Sequence, residues 1–184
     1  MKGKFLKENE RLKLELKTKK GRNKRRDRKN MDKGIKEPNW FARGYLFYKY
    51  GDCDKAIEAC TRAIELSPEY AEAYYIRGIA YNDLGNYQQA IRDYDRAIEL
   101  NPELAAVCYI RGLAYHKLGN YQQAISDFDR AIELNPKYAP AYYNRGIAYT
   151  YLGNYQQTIV DYKAAAKLGS KDAQDFLKKE GIDW

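Results

Sequence analysis

Residues 85–118 read GNYQQAIRDYDRAIELNPELAAVCYIRGLAYHKL, and residues 119–152 read GNYQQAISDFDRAIELNPKYAPAYYNRGIAYTYL. The two stretches are closely similar and laid end to end. Gly-Asn-Tyr-Gln-Gln returns a third time at Gly153, and Arg-Gly begins at Arg43, Arg77, Arg111 and Arg145, every interval being 34 residues. A fixed period of this size marks a repeat protein, whose units stack because none can bury its apolar face alone. It divides the chain into units 37–70, 71–104, 105–138 and 139–170, with 1–36 before them and 171–184 after.

Inside a unit, apolar and small residues recur three and four apart, as in Tyr74, Gly78, Tyr81 and then Ala90, Tyr94, Ala97, which is the spacing of one helical face. Each unit therefore reads as two helices. Gly51, Gly85, Gly119 and Gly153 fall where the first helix should end and the chain reverse. Pro68, Pro102 and Pro136 stop the second helix and open the next unit. Gly44, Gly78, Gly112 and Gly146 lie inside the first helix, where glycine costs about 1 kcal/mol relative to alanine, so their regular use implies close approach of the partner helix through Ala56, Ala90 and Ala124.

This pattern resembles the tetratricopeptide repeat. The matching residues are Tyr74, Gly78, Tyr81, Ala90, Tyr94, Ala97 and Pro102 in the second unit, and Trp40, Gly44, Phe47, Ala56, Cys60, Ala63 and Pro68 in the first. The resemblance implies an all-α fold, a right-handed α-solenoid of four helix-turn-helix units, and a role as a protein-protein interaction scaffold. Residues 171–180, with Ala173, Phe176 and Leu177 apolar among lysines, read as the polar-backed capping helix that closes a solenoid.

Compared by place in the unit, Cys53, Cys60 and Cys108 stand where other units carry aromatics, so they read as core substitutions rather than reactive thiols. Ten tyrosines (74, 81, 87, 94, 115, 121, 142, 149, 155 and 162) occupy repeat-signature places and are expected in the core. Another set does not. Phe41, Tyr75, Tyr109 and Tyr143 share the place after a core residue on the first helix, which in the family faces the concave groove. Tyr45, Ile79, Leu113 and Ile147 follow four residues on, and Tyr48, Asn82, His116 and Thr150 a further turn along. An apolar ladder on a face that is normally polar suits either a partner-binding groove or packing between adjacent first helices. Some family members clamp a terminal carboxylate with Lys, Arg and Asn on the first helices. Here the corresponding places hold Phe41, Tyr45, Ile76, Ala106 and Ile110, so a ligand with apolar or aromatic anchors is expected instead.

Arg43, Arg77, Arg111 and Arg145 stand where the family most often has leucine, and a guanidinium beside a helix interface needs a partner. Asp93, Asp127 and Asp161 recur with the same period on the second helices, so an ion-pair ladder is expected from Arg77, Arg111 and Arg145, within a unit or to the next. The first unit has Ala59 at the aspartate position.

The charge is segregated. Residues 1–36 hold 16 basic and 5 acidic side chains, net +11, and residues 37–184 hold 17 and 20, net −3, which together give the +8 of the whole. The first segment has almost nothing apolar after Leu16 and reads as a disordered arm. Its Lys19, Lys20, Arg22, Lys24, Arg25, Arg26, Arg28 and Lys29 carry an alternative function, binding of nucleic acid or another polyanion. No run approaches a membrane span and no apolar stretch marks a signal peptide, so a cytoplasmic protein is expected. With one histidine, no cysteine pair, no phosphate loop and no nucleophile-base pairing, neither a metal, a cofactor nor an enzymatic role is expected. The partner expected is another protein, through a peptide or helix segment. Near-identical repeats with no apolar cap before Glu37 leave self-association open.

Overall fold

The computed structural model describes residues 39–184. Among them the chain forms nine helices and no strands: α1 (Trp40–Lys49), α2 (Cys53–Leu66), α3 (Ala71–Asp83), α4 (Tyr87–Leu100), α5 (Ala105–Lys117), α6 (Tyr121–Leu134), α7 (Ala139–Tyr151), α8 (Tyr155–Lys167) and α9 (Lys171–Lys179). Each packs on its neighbours in the chain, and α1 also touches α3, as α5 touches α7. The result is an α-solenoid in which first helices line one side and second helices the other.

The turn between the helices of a unit follows from one residue. At Gly85 φ is +77°, a conformation that costs a side-chain-bearing residue about 1–2 kcal/mol, and it lets the Gly85 N–H donate to Asn82 O at 2.9 Å and the Asn86 N–H to Tyr81 O at 2.8 Å. These two bonds satisfy carbonyls that the end of α3 leaves open. The same pair of bonds recurs at Gly51, Gly119 and Gly153. Asn39, Asp52, Asn154 and Ser170 close the opposite ends by accepting from backbone N–H groups three residues on.

The interior of each of the last three units is a ring set against a glycine. A Cβ on Gly78 would lie 2.6 Å from the Tyr94 ring and 3.3 Å from Ala90 O, and one on Gly112 would lie 2.7 Å from the Phe128 ring. At Gly146 the ring is Tyr162, whereas at Gly44 the neighbour is the smaller Cys60 Sγ. Ala90, Ala97, Ala124 and Ala131 are fully buried around these contacts. At the carboxy-terminal end, α9 lays Ala173 and Leu177, both fully buried, against Tyr162, Ala165 and Ala166.

Two expectations need correction. Of the ten signature tyrosines only Tyr94 and Tyr162 are buried, and Tyr155 is 66% exposed. The remaining rings lie half-buried along the rims, where a phenol can reach a polar partner: Tyr74 donates to Pro68 O and Tyr142 to Pro136 O. For the same reason Cys53, which stands in the place of Tyr155, is half-buried, while Cys60 and Cys108 are core residues; all three are free thiols.

Overpacking predicts that Gly112→Ala lowers the urea midpoint by the equivalent of about 1–3 kcal/mol, because the ring it strikes is itself enclosed. Gly85→Ala meets open space and should cost about 1–2 kcal/mol through its backbone alone. Combining them should give additive losses in equilibrium denaturation, since the two glycines share no partner.

Candidate functional site

The arginine that precedes each packing glycine sits at the seam between units. Arg77 Nε and Nη2 donate to Asp93 Oδ2 and Oδ1 at 2.8 and 2.7 Å, a two-point contact that Arg111 repeats on Asp127 and Arg145 on Asp161. The third nitrogen reaches backward to the preceding second helix: Arg77 Nη1 to Thr61 Oγ1 at 2.9 Å, Arg111 Nη1 to Asp95 at 2.6 Å, and Arg145 Nη1 to Asp129 at 2.5 Å. Each guanidinium thus ties three helices together. The outer acceptors Asp95 and Asp129 escaped the sequence reading although they also recur 34 residues apart, two places after Asp93 and Asp127. Burial raises the carboxyl of Asp127 and the arginine pulls it back. Burial likewise disfavours the Arg111 charge, an effect outweighed by the bonds it donates to Asp127 and Asp95, so its pKa stands above the ordinary arginine value.

Most of the apolar stripe lies half-buried, chiefly against its own unit, while Tyr45 and Thr150 are exposed. Phe41 packs on Tyr70 with ring centroids 4.7 Å apart, and Tyr109 packs on Phe128 and Tyr138. The Tyr109 hydroxyl accepts from Asn144 Nδ2 at 3.1 Å. Tyr75 and Ile79 lie against the cluster around Tyr94, Tyr143 stacks on Tyr162, and Ile147 joins the same group. The Tyr48 hydroxyl is raised by burial and by the Asp83 carboxylate beside it. Thr150 shares a hydroxyl contact with Thr158, which is buried in α8. Asn82 and Leu113 are half-buried, and Tyr45 is 46% exposed.

Two of these residues meet in a cavity. Tyr109 and Tyr143 line a space of about 480 Å³ with Ala139, Pro140 and Asn144 from α7, with the turn residues Leu168, Gly169 and Ser170, and with Lys171 and Asp172 at the start of α9. The turn segment breaks the 34-residue period, so the sequence carried no repeat signal for this lining. His116 lies elsewhere, edge-on to Tyr121 and Tyr151, each 5.2 Å away, and those two rings stack on one another at 4.7 Å. Its Nε2 is buried without a hydrogen-bond partner, and burial, then Lys117, holds the imidazole below its ordinary pKa. Among the described residues no cluster of His, Cys, Asp and Glu is placed to hold a metal, and no helix is long and apolar enough to cross a membrane. Lys19, Lys20, Arg22, Lys24, Arg25, Arg26, Arg28 and Lys29 lie outside the described residues.

Removing Arg111 leaves Asp127 buried and unpaired, so Arg111→Ala should cost about 3–5 kcal/mol, whereas Arg111→Met with Asp127→Leu should cost much less, both read from denaturant midpoints. His116 gives a pH signature. Its folded pKa lies below the unfolded value of about 6.5, so its contribution is complete above that pH and is lost as pH falls through the folded pKa. His116→Phe should flatten the stability profile between about pH 7 and 5; an unchanged slope would remove this assignment.

The family model for the tetratricopeptide repeat matches residues 71–104, 105–138 and 139–172, and a second TPR-repeat model matches 44–85. A crystal structure of MamA is similar with a TM-score of 0.71 at 31% identity, covering 75% of this chain and 83% of that chain. A second crystal structure of MamA protein gives 0.69 at 31%, covering 73% and 74%. MamA 41-end from Desulfovibrio magneticus RS-1 gives 0.67 at 24%, covering 71% and 73%, a likeness in fold alone. No curated protein matches the chain. The chain belongs to the tetratricopeptide repeat family.

Proposed function

We propose that this protein is a protein-protein interaction scaffold that holds an extended or helical segment of a partner against its first helices, with an aromatic or aliphatic anchor seated between Tyr109 and Tyr143. The cavity of about 480 Å³ carries the reading, because it joins apolar walls from Tyr109, Pro140, Tyr143 and Leu168 to polar groups on Asn144, Ser170, Lys171 and Asp172. An apolar pocket with a few convergent polar groups orients a ligand as well as burying it. Tandem helix pairs present such surfaces to peptides and helices, and the main-chain flanks of a bound segment find hydrogen-bonding groups at the cavity mouth. The alternative of polyanion binding rests on the composition of residues 1–36 alone.

Peptides selected from a random library on the full chain should be enriched in aromatic or large aliphatic anchors. Tyr143→Ala should weaken them roughly 30-fold, about 2 kcal/mol, with helicity by circular dichroism retained. Tyr155→Ala, on an exposed ring outside the cavity, should leave affinity unchanged. Equal affinity for the wild-type and Tyr143→Ala chains would refute the groove.

A further inference from the structure

Every arginine of the ladder has two acceptors except the first. Counting 16 residues forward from Arg77, Arg111 and Arg145 reaches the aspartate of the same unit, and counting 16 back reaches Thr61, Asp95 or Asp129 on the preceding second helix. Sixteen residues beyond Arg43 stands Ala59, a buried methyl that accepts nothing. The guanidinium lies over the Trp40 ring at 4.8 Å, and its Nε is buried without a hydrogen-bond partner. A buried cationic donor with no acceptor is a costly arrangement for a monomer to keep.

The face around it is open as well. In the later units the residues equivalent to Asn39 and Leu46 are Ala73 and Ala80, Val107 and Ala114, and Ala141 and Ala148, all 0–1% exposed. The preceding second helix helps to cover them: Val107 lies in one cluster with Ala97, and Ala141 in another with Ala131 and Leu134. On α1 the same stripe is bare, with Leu46 42% exposed and Tyr45 beside it at 46%.

We propose that α1 and Arg43 form a docking site for an acidic amphipathic helix of a partner protein, which lies where a preceding second helix would lie and gives Arg43 the carboxylate it lacks. The site is separate from the cavity at Tyr109 and Tyr143. Charge argues against a second copy stacking head to tail, because the place held by Asp95 and Asp129 is Lys163 in α8, and α9 already covers that helix. The ligand chemistry is therefore a helix carrying a carboxylate two residues before a small apolar residue, as Asp129, which meets Arg145, precedes Ala131, which clusters with Ala141.

The probe is a labelled, end-blocked peptide copying Tyr121–Leu134, titrated against the full chain by fluorescence anisotropy. Binding should occur and should fall at least tenfold when the peptide carries Asn in place of Asp129. Arg43→Met should produce a similar loss on the wild-type peptide and no further loss on the altered one. Ala59→Asp, which restores the in-unit acceptor the other units have, should raise the thermal midpoint and retain binding, because Arg111 holds Asp127 and Asp95 at once. Tyr143→Ala should leave binding unchanged. Absence of binding, equal affinity for the two peptides, or indifference to Arg43→Met overturns the proposal; the altered peptide tests the same contact on the unaltered chain, so a folding defect in Arg43→Met does not mask the result.

Discussion

A ring occupying the space of a missing Cβ sets the separation of the two helices in each of the last three units, and the polar seam follows from it. Gly78 meets Tyr94, and the residues next to them in the chain, Arg77 and Asp93, are thereby brought to 2.8 Å. The apolar contact and the ion pair are two parts of one arrangement. Burying an aspartate adds little stability in itself, since desolvation offsets the attraction. It does penalise alternatives: a helix slipped by one turn would keep apolar contacts of a sort but strand a carboxylate in the interior.

The repeat period was legible because glycine, proline and aromatic positions each report it independently. The inner half of the ladder was legible because Asp93, Asp127 and Asp161 recur without interruption. Its outer half was obscured where Thr61 and Lys163 replace the aspartates at the two ends. Periodicity says that residues are equivalent, not how deeply they lie. Tyr87, Tyr121 and Tyr155 share one place, yet Tyr121 is sheltered by Tyr151 while Tyr155 stands mostly in solvent. Burial of such rims depends on the next unit, which the last repeat does not have. The cavity was illegible for a related reason, because the α8–α9 turn that closes it has Gly169-Ser170 where the other junctions have Ser67-Pro68, Asn101-Pro102 and Asn135-Pro136.

The stripe on the first helices serves the stack before any ligand arrives. Tyr109 bonds to Asn144, and His116 touches Tyr151, so these two residues of the stripe also lean on the following unit. A surface built this way is held in shape by the contacts that make it. Side chains already ordered by packing lose less rotamer freedom when a partner covers them.

The units are not equal in what holds them. Arg145 and Arg111 each bridge two carboxylates, Arg77 one carboxylate and a hydroxyl, and Arg43 none, while the ring behind the packing glycine shrinks to a thiol in the first unit. In a linear array, where energy resides in each unit and in each junction, such a gradient gives unfolding a direction. Opening starts at the amino-terminal pair of helices, where a thiol replaces the ring and Arg43 has no acceptor, so amide protection should be lowest in α1 and α2.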